Sequence, residues 1–181
     1  MAAPPQPLPL RNRRPRTNSA GMDYLWTPWR YRYITTADKD KGCIFCQAAE
    51  TREDSRTLIV FRGRNNFVIL NRYPYTTGHV MIVPYAHQAV LSASEPGTLA
   101  EMMEIAQRVQ AALEALYHPH GYNLGMNMGH AAGAGIAGHL HLHLLPRWTG
   151  DASFMTTVGE TRLEPEELDV TYEKLRQALA P

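Results

Sequence analysis

The chain has 181 residues and a formal net charge of +1, enough for one ordinary globular domain with a real core. No apolar run approaches the roughly 20 residues that span a bilayer, and the first twenty residues lack the apolar core of a secretory signal, so a membrane protein is not expected. With only two cysteines, a disulfide framework is excluded as the source of stability.

The near-neutral charge hides an asymmetry. Arg11, Arg13, Arg14 and Arg16 lie in a stretch with no acidic residue before Asp23. A Pro-rich polar stretch without aromatics buries too little surface to order itself. Residues 1–21 are therefore expected to form a disordered basic tail, or an extension ahead of a natural start at Met22. Residues 22–181 are expected to form one domain. The segment from Asp23 to Ile34 is aromatic and basic, with Trp26, Trp29, Tyr31 and Tyr33, and reads as an arm packed on the domain's own surface or across a dimer. Cys43 and Cys46 follow. Two cysteines at this spacing in a chain without a secretory signal suggest a metal site or a redox pair, and a reducing cytoplasm.

Two apolar runs, Leu58–Phe61 and Phe67–Leu70, flank a polar turn containing Gly63 and read as a hairpin. A third strand is expected over Val80–Val83, ending at Pro84. A long helix follows, with Leu99, Met102, Met103, Ala106, Val109, Leu113 and Leu116 at helical spacing. Thr98 with Glu101 has the pattern of a capping box, and Ser94 is the rival N-cap. A fourth strand is expected over Tyr122–Met128, then a glycine-rich loop over Gly129–Gly138. The fifth strand is expected over His139–Leu145, stopped by Pro146. A last helix is expected to start near Pro165 with Leu168, Tyr172, Leu175 and Leu179 on one face. Glu164, Glu166 and Glu167 stand at its N-terminal end, where the macrodipole favours them. The order argues for an α+β domain with an antiparallel sheet of about five strands, one long helix and a C-terminal helix.

The fifth strand carries the chemistry. Side chains alternate along a strand, so His139, His141 and His143 share one face, and Leu140, Leu142 and Leu144 share the other. Successive histidines are expected about 6.8 Å apart. That spreads the outer nitrogens too far for all three to bind one tetrahedral zinc. Nucleophilic catalysis fits better, because a neutral imidazole nitrogen attacks phosphorus near pH 7 and then serves as a leaving group.

The run from His139 to Arg147 (HLHLHLLPR) resembles the signature of the histidine triad (HIT) family of nucleotide hydrolases and transferases. Cys43-Ile-Phe-Cys46, Val68–Arg72, Thr77–Val80, Val83–His87 and Pro146–Asp151 match the family in the same order. Tyr73-Pro74-Tyr75, Ala132–Gly135 and the Pro-Arg-Trp-x-Gly-Asp run resemble its bacterial diadenosine tetraphosphate phosphorylase or hydrolase branch. The resemblance implies a HIT-like fold with His141 as the nucleophile, forming a nucleotidyl-histidine intermediate. It implies His143 at the phosphate and leaving group, and His79 in the network behind the nucleophile. Asn71 is implied at the ribose and Asn127 at phosphate. Many relatives carry Gly-Gln-Ser or Gly-Gln-Thr before the triad, where this chain has Gly133-Ala134-Gly135-Ile136. Backbone donors at Gly133 and Gly135 are expected in their place. The resemblance also implies a structural zinc on Cys43, Cys46, His87 and His139, no organic cofactor, and a homodimer. The substrate implied is an adenine dinucleoside polyphosphate or an AMP derivative, with no specific nucleic-acid partner. A nucleoside phosphoramidate hydrolase of the Hint type, or a nucleotide- or zinc-binding module without turnover, are the alternatives. His118, His120 and His130 match no family role and are expected on the surface or in loops.

Overall fold

The computed structural model of the protein describes residues 42–152 and 165–180. The basic tail, the aromatic arm and Glu164 lie outside the described residues. Five strands form one antiparallel sheet in the order β1-β2-β3-β5-β4, with β1 over Ile59–Arg62, β2 over Asn66–Leu70, β3 over Val80–Pro84, β4 over Gly121–Gly125 and β5 over Leu142–Arg147. Among the described residues four α-helices accompany it: α1 over Ile44–Glu50, α2 over Asp54–Thr57, α3 over Pro96–Tyr117 and α4 over Leu168–Ala178. None of the described helices is long and apolar enough to cross a membrane.

Register assigns each face of the sheet its task. Val68 pairs with Ile82, Ile82 with Leu142, and Val80 with Leu144. These residues are buried, and α3 packs against β2, β3 and β5. The other face carries the row Ile69, Met81 and His143, again matched in register. One face is thus core, and the other is left to build a site.

Helix α3 starts earlier than the capping box implies, and without it. Glu95 is the N-cap with no side-chain cap bond, and Pro96 occupies the first turn, where its fixed φ and missing N–H cost nothing. Glu101 turns inward instead. Its buried carboxylate accepts from the Arg64 and Asn65 N–H groups, both at 2.7 Å, and from Asn66 Nδ2 at 2.8 Å. Burial pushes this carboxyl up, but the hydrogen bonds from Asn66, Arg64 and Asn65 outweigh it and hold it below its ordinary value. A helix carboxylate therefore pins the β1–β2 turn. Ser94 accepts from Gln88 Nε2 rather than capping. Met103 is 49% exposed and falls outside the buried stripe, which runs through Met102, Ile105, Ala106, Val109 and Leu113.

The strands bearing the motif also shift. β4 ends at Gly125, which faces His143 one residue inside the start of β5. β5 begins only at Leu142, because its ladder with β3 reaches no further than Ile82, and β3 ends on a proline with no N–H to offer. At its other end β5 runs through Pro146, which pairs with Tyr122 and does not stop the strand. The β3–β5 ladder has already ended at Val80 and Leu144, so the missing N–H falls where the strand has a neighbour on one side only. Helix α4 begins at Leu168, with Glu167 as N-cap. Tyr172, Leu175 and Leu179 are buried as expected. Glu166 is a latch rather than a dipole partner: it accepts from Tyr117 Oη at 2.5 Å and Thr171 Oγ1 at 2.8 Å, and pairs with Lys174.

Candidate active site

The three histidines are held by three different devices. His139 precedes the strand ladder, where the Leu140 N–H donates to Gln88 O at 2.6 Å. Its ring is buried, and Nε2–H donates to Pro84 O at 2.9 Å. A carbonyl only accepts, so this bond leaves the Nδ1 lone pair of His139 free of a proton. His141 is held by its neighbour: Nδ1–H donates to His139 O at 2.7 Å, which leaves the lone pair on Nε2. Burial keeps both rings below the ordinary histidine pKa, and therefore neutral near pH 7.

His143 takes its tautomer from His79. The Tyr75 N–H donates to His79 Nδ1 at 3.1 Å, so His79 carries its proton on Nε2. That nitrogen lies 2.9 Å from His143 Nδ1 and donates to it. His143 then keeps its own proton on Nε2. Burial, and secondly the neighbouring His141, push its pKa down to about 4. The His141 and His143 rings are 4.8 Å apart between centroids and nearly perpendicular. A nucleophilic lone pair and a hydrogen-bond donor thus stand side by side. His79 is fully buried and follows Gly78, whose φ is +79° and where a Cβ would sit 2.8 Å from Leu113 Cδ2. Only glycine fits both constraints without strain.

Before these rings lies a cavity of about 590 Å³, within the usual range for a small-molecule site. Its walls include His141, His143, Asn71, Asn127, Gly133 and Gly135, so every residue expected at ribose or phosphate reaches one space. Asn71 Oδ1 accepts from the Tyr73 N–H at 3.0 Å, and its Nδ2 is 3.5 Å from His79 Nδ1. The glycine loop is more committed than expected. The Gly133 N–H closes a turn onto His130 O at 2.9 Å, which leaves the Gly135 N–H as the better placed backbone donor.

The rest of the wall was not legible as a site. Ile44, Ala48, Leu58, Ile69 and Met81 supply an apolar end. Ile69 and Met81 are cross-strand partners of the histidine row, a signal that only register reveals. Phe45 lies between the two cysteines and is 1% exposed. Its ring centroid is 5.4 Å from that of His139 and 5.1 Å from that of His141. Tyr75 is another omission: its ring lies 4.8 Å from His79 and 6.4 Å from His143. His120 is more than a surface residue, since its Nδ1 accepts from the Thr149 N–H at 2.9 Å and fixes the turn after β5.

Cys43, Cys46, His87 and His139 converge behind the triad, their donor atoms all within 4.8 Å of one another. Tetrahedral zinc with ordinary bond lengths sets edges of about 3.3 Å between nitrogens and about 3.6 Å between nitrogen and sulfur. Here His87 Nδ1 and His139 Nδ1 are 3.3 Å apart. The nitrogen–sulfur separations are 3.2 Å for Cys43 to His139, 3.3 Å for Cys46 to His87 and 3.7 Å for Cys46 to His139. The donor set fits zinc, and these four separations lie close to the edges of such a site. The Pro84 carbonyl already holds His139 in the ligating tautomer.

A family model of the HIT domain matches residues 52–150. An AP-4-A phosphorylase from Mycobacterium tuberculosis is 37% identical over 154 residues, 81% of this chain and 79% of that protein. Among solved structures, a zinc-bound histidine triad family protein from Mycobacterium smegmatis is 31% identical, with a TM-score of 0.62 over 76% of this chain and 93% of its own. A hypothetical histidine triad nucleotide-binding protein from Sulfolobus tokodaii is 26% identical, with a TM-score of 0.60 over 75% of this chain and 91% of its own.

Proposed function

The chain belongs to the histidine triad family, and we propose that it transfers nucleotidyl groups from dinucleoside polyphosphates, diadenosine tetraphosphate first among them. The observation that carries this reading is the pair of contacts on the triad, His141 Nδ1 2.7 Å from the His139 carbonyl and His143 Nδ1 2.9 Å from His79 Nε2, which argue for a bare Nε2 on His141 beside a protonated Nε2 on His143. The similarity to an AP-4-A phosphorylase supports the substrate class.

His141 Nε2 attacks the α-phosphorus and an N–P bond forms. The bond from that phosphorus to the bridging oxygen breaks, and the leaving oxygen departs as a phosphate oxyanion that accepts a hydrogen bond from His143 Nε2–H. With diadenosine tetraphosphate the leaving group is ATP and the adduct is adenylyl-His141. The imidazole becomes cationic as it bonds, and the His139 carbonyl at 2.7 Å stabilises that charge. His79 donates to His143 throughout and holds its ring for the transfer. In the second step phosphate or water attacks the adduct and the N–P bond breaks, giving ADP or AMP. Asn71 hydrogen-bonds the ribose, while Asn127 and the Gly135 N–H meet the phosphates. The apolar wall takes the base. Cys43, Cys46, His87 and His139 hold zinc as a closed structural set with no open position for substrate.

The protein acts in the cytoplasm as a homodimer of a domain spanning residues 22–181. Support for the dimer lies in β4, an edge strand whose outer side has no partner among the described strands, with Leu124 and Met128 exposed beside it. Such an edge is ordinarily covered.

Incubation with diadenosine tetraphosphate, with and without phosphate, tests the activity. ADP and ATP formed only with phosphate support phosphorolysis; AMP and ATP in either condition support hydrolysis. Turnover of adenosine phosphoramidate with none of the tetraphosphate overturns the substrate assignment. Acid-quenched protein should carry one adenylyl group, on His141.

A further inference from the structure

We propose that metal ligation by Cys43, Cys46, His87 and His139 is thermodynamically coupled to nucleotide binding, with α1 as the element shared by the two sites. The proposal rests on the reading of the cavity as a nucleotide site.

Helix α1 has little of its own to hold it. It is seven residues long, its N-cap Cys43 makes no side-chain cap bond, and neither end carries a charge suited to the dipole. So short a helix is unstable without tertiary support. Its C-terminal end has that support from Arg62, which donates to Ala49 O at 3.0 Å and Thr51 O at 2.7 Å while pairing with Asp54. Its N-terminal end is held by Phe45 and by the two cysteines, which meet His87 and His139 from the sheet side.

The same few residues form the cavity wall. Ile44, Phe45, Gln47 and Ala48 all line it. Cys43 and Cys46 bracket Ile44 and Phe45, so ligation fixes where these side chains stand. Phe45 adds a second link, because one ring touches both His139, a ligand, and His141, whose Nε2 faces substrate. His139 adds a third, with its ring toward the ligand cluster and its carbonyl on His141 Nδ1. Without the four-ligand clamp, the N-terminal half of α1 is left with Phe45 as its attachment, while the Arg62 anchor remains. The wall then opens from one side.

Coupling of this kind is reciprocal, which supplies two independent readouts. AMP is titrated calorimetrically into the zinc-loaded full chain and into chelated full chain. In parallel, zinc transfer to a chromophoric chelator is followed with and without saturating AMP. We expect AMP affinity to fall about tenfold without zinc, and zinc affinity to rise by the same factor with AMP, within the usual range for coupled sites. Equal AMP affinity in both forms overturns the coupling.

Hydrogen exchange of the ligand-free protein keeps this test separate from the nucleotide assignment. If AMP binds neither form, the nucleotide reading fails, and the coupling as stated fails with it. Faster exchange confined to Ile44–Glu50 on zinc removal, with β2 and β3 still protected, supports the clamp. Unchanged exchange there overturns it, as does global unfolding, which makes the metal a support for the whole domain. Phe45→Leu keeps all four ligands; it should retain one zinc while the tenfold linkage shrinks.

Discussion

Gly78→Ala is the substitution whose cost the geometry defines most closely. Two penalties add. The φ of +79° costs an L-residue roughly 1–2 kcal/mol. The new Cβ meets Leu113 Cδ2 at 2.8 Å and Pro146 Cγ at 3.4 Å. Leu113 is fully buried on α3 and cannot swing into solvent, so the packed core must shift, at roughly 1–3 kcal/mol. Reduced freedom of the unfolded chain returns about 0.4–1 kcal/mol. The net loss is about 1–4.5 kcal/mol, or roughly 2–18 °C in Tm for a domain of this size. Gly97→Ala is the control: it lies in the first turn of α3, without positive φ and with nothing within 4 Å of the added carbon. It should be neutral or stabilising by up to about 1 kcal/mol. Denaturant titration of both variants measures the difference. Because His79 follows directly, Gly78→Ala should also lower kcat under conditions where the variant is fully folded. A Gly78→Ala midpoint equal to wild type, or a Gly97→Ala loss of the same size, refutes the argument.

His141→Ala should abolish turnover and the trapped adduct while leaving the circular dichroism spectrum and melting transition close to wild type; residual turnover by a folded variant sinks the nucleophile assignment. Glu101→Gln can keep its oxygen on Asn65 N–H and Asn66 Nδ2 only by turning its NH2 to the Arg64 N–H, and should cost about 1–3 kcal/mol by equilibrium denaturation, the cost of one buried donor left unpaired. His143 has a folded pKa pushed down to about 4 from an ordinary 6.5, so the unfolded state binds its proton first. Its contribution is therefore complete above pH 6.5 and is lost as pH falls from there towards 4, up to about 3 kcal/mol. His143→Gln should remove that part of the stability slope, and imidazole ¹⁵N shifts should show His143 still neutral at pH 5.

What could be read from the residues divides along a physical line. Apolar runs bounded by turn residues, period-two alternation in the histidine strand and helical spacing depend on local chemistry, and they located the five described strands, α3 and α4. The convergence of Cys43, Cys46, His87 and His139 was legible too, because two cysteines three apart suggested a metal site or a redox pair and the HIT resemblance supplied His87 and His139. The errors arose where a distant partner decided. Thr98 and Glu101 have the spacing of a capping box, but the β1–β2 turn offers Glu101 two backbone donors and an amide, more than one cap bond provides. Pro146 reads as a strand stop until the β3–β5 ladder is known to end before it.

The same division explains the catalytic face. Alternation assigned the three histidines a common side but left them equivalent, and their different roles come from what each ring's second nitrogen meets. His139 has a proline carbonyl, His141 the carbonyl of His139, and His143 the protonated nitrogen of His79. Two of those three partners are backbone oxygens, which no side-chain pattern encodes. The third depends on Gly78, whose positive φ brings His79 under β5. A motif of identical residues thus presents three different faces: a bare Nδ1 at the Cys43–Cys46–His87 cluster, a bare Nε2 on His141 and an N–H on His143. Exchanging the partners, with the histidines untouched, would exchange the chemistry.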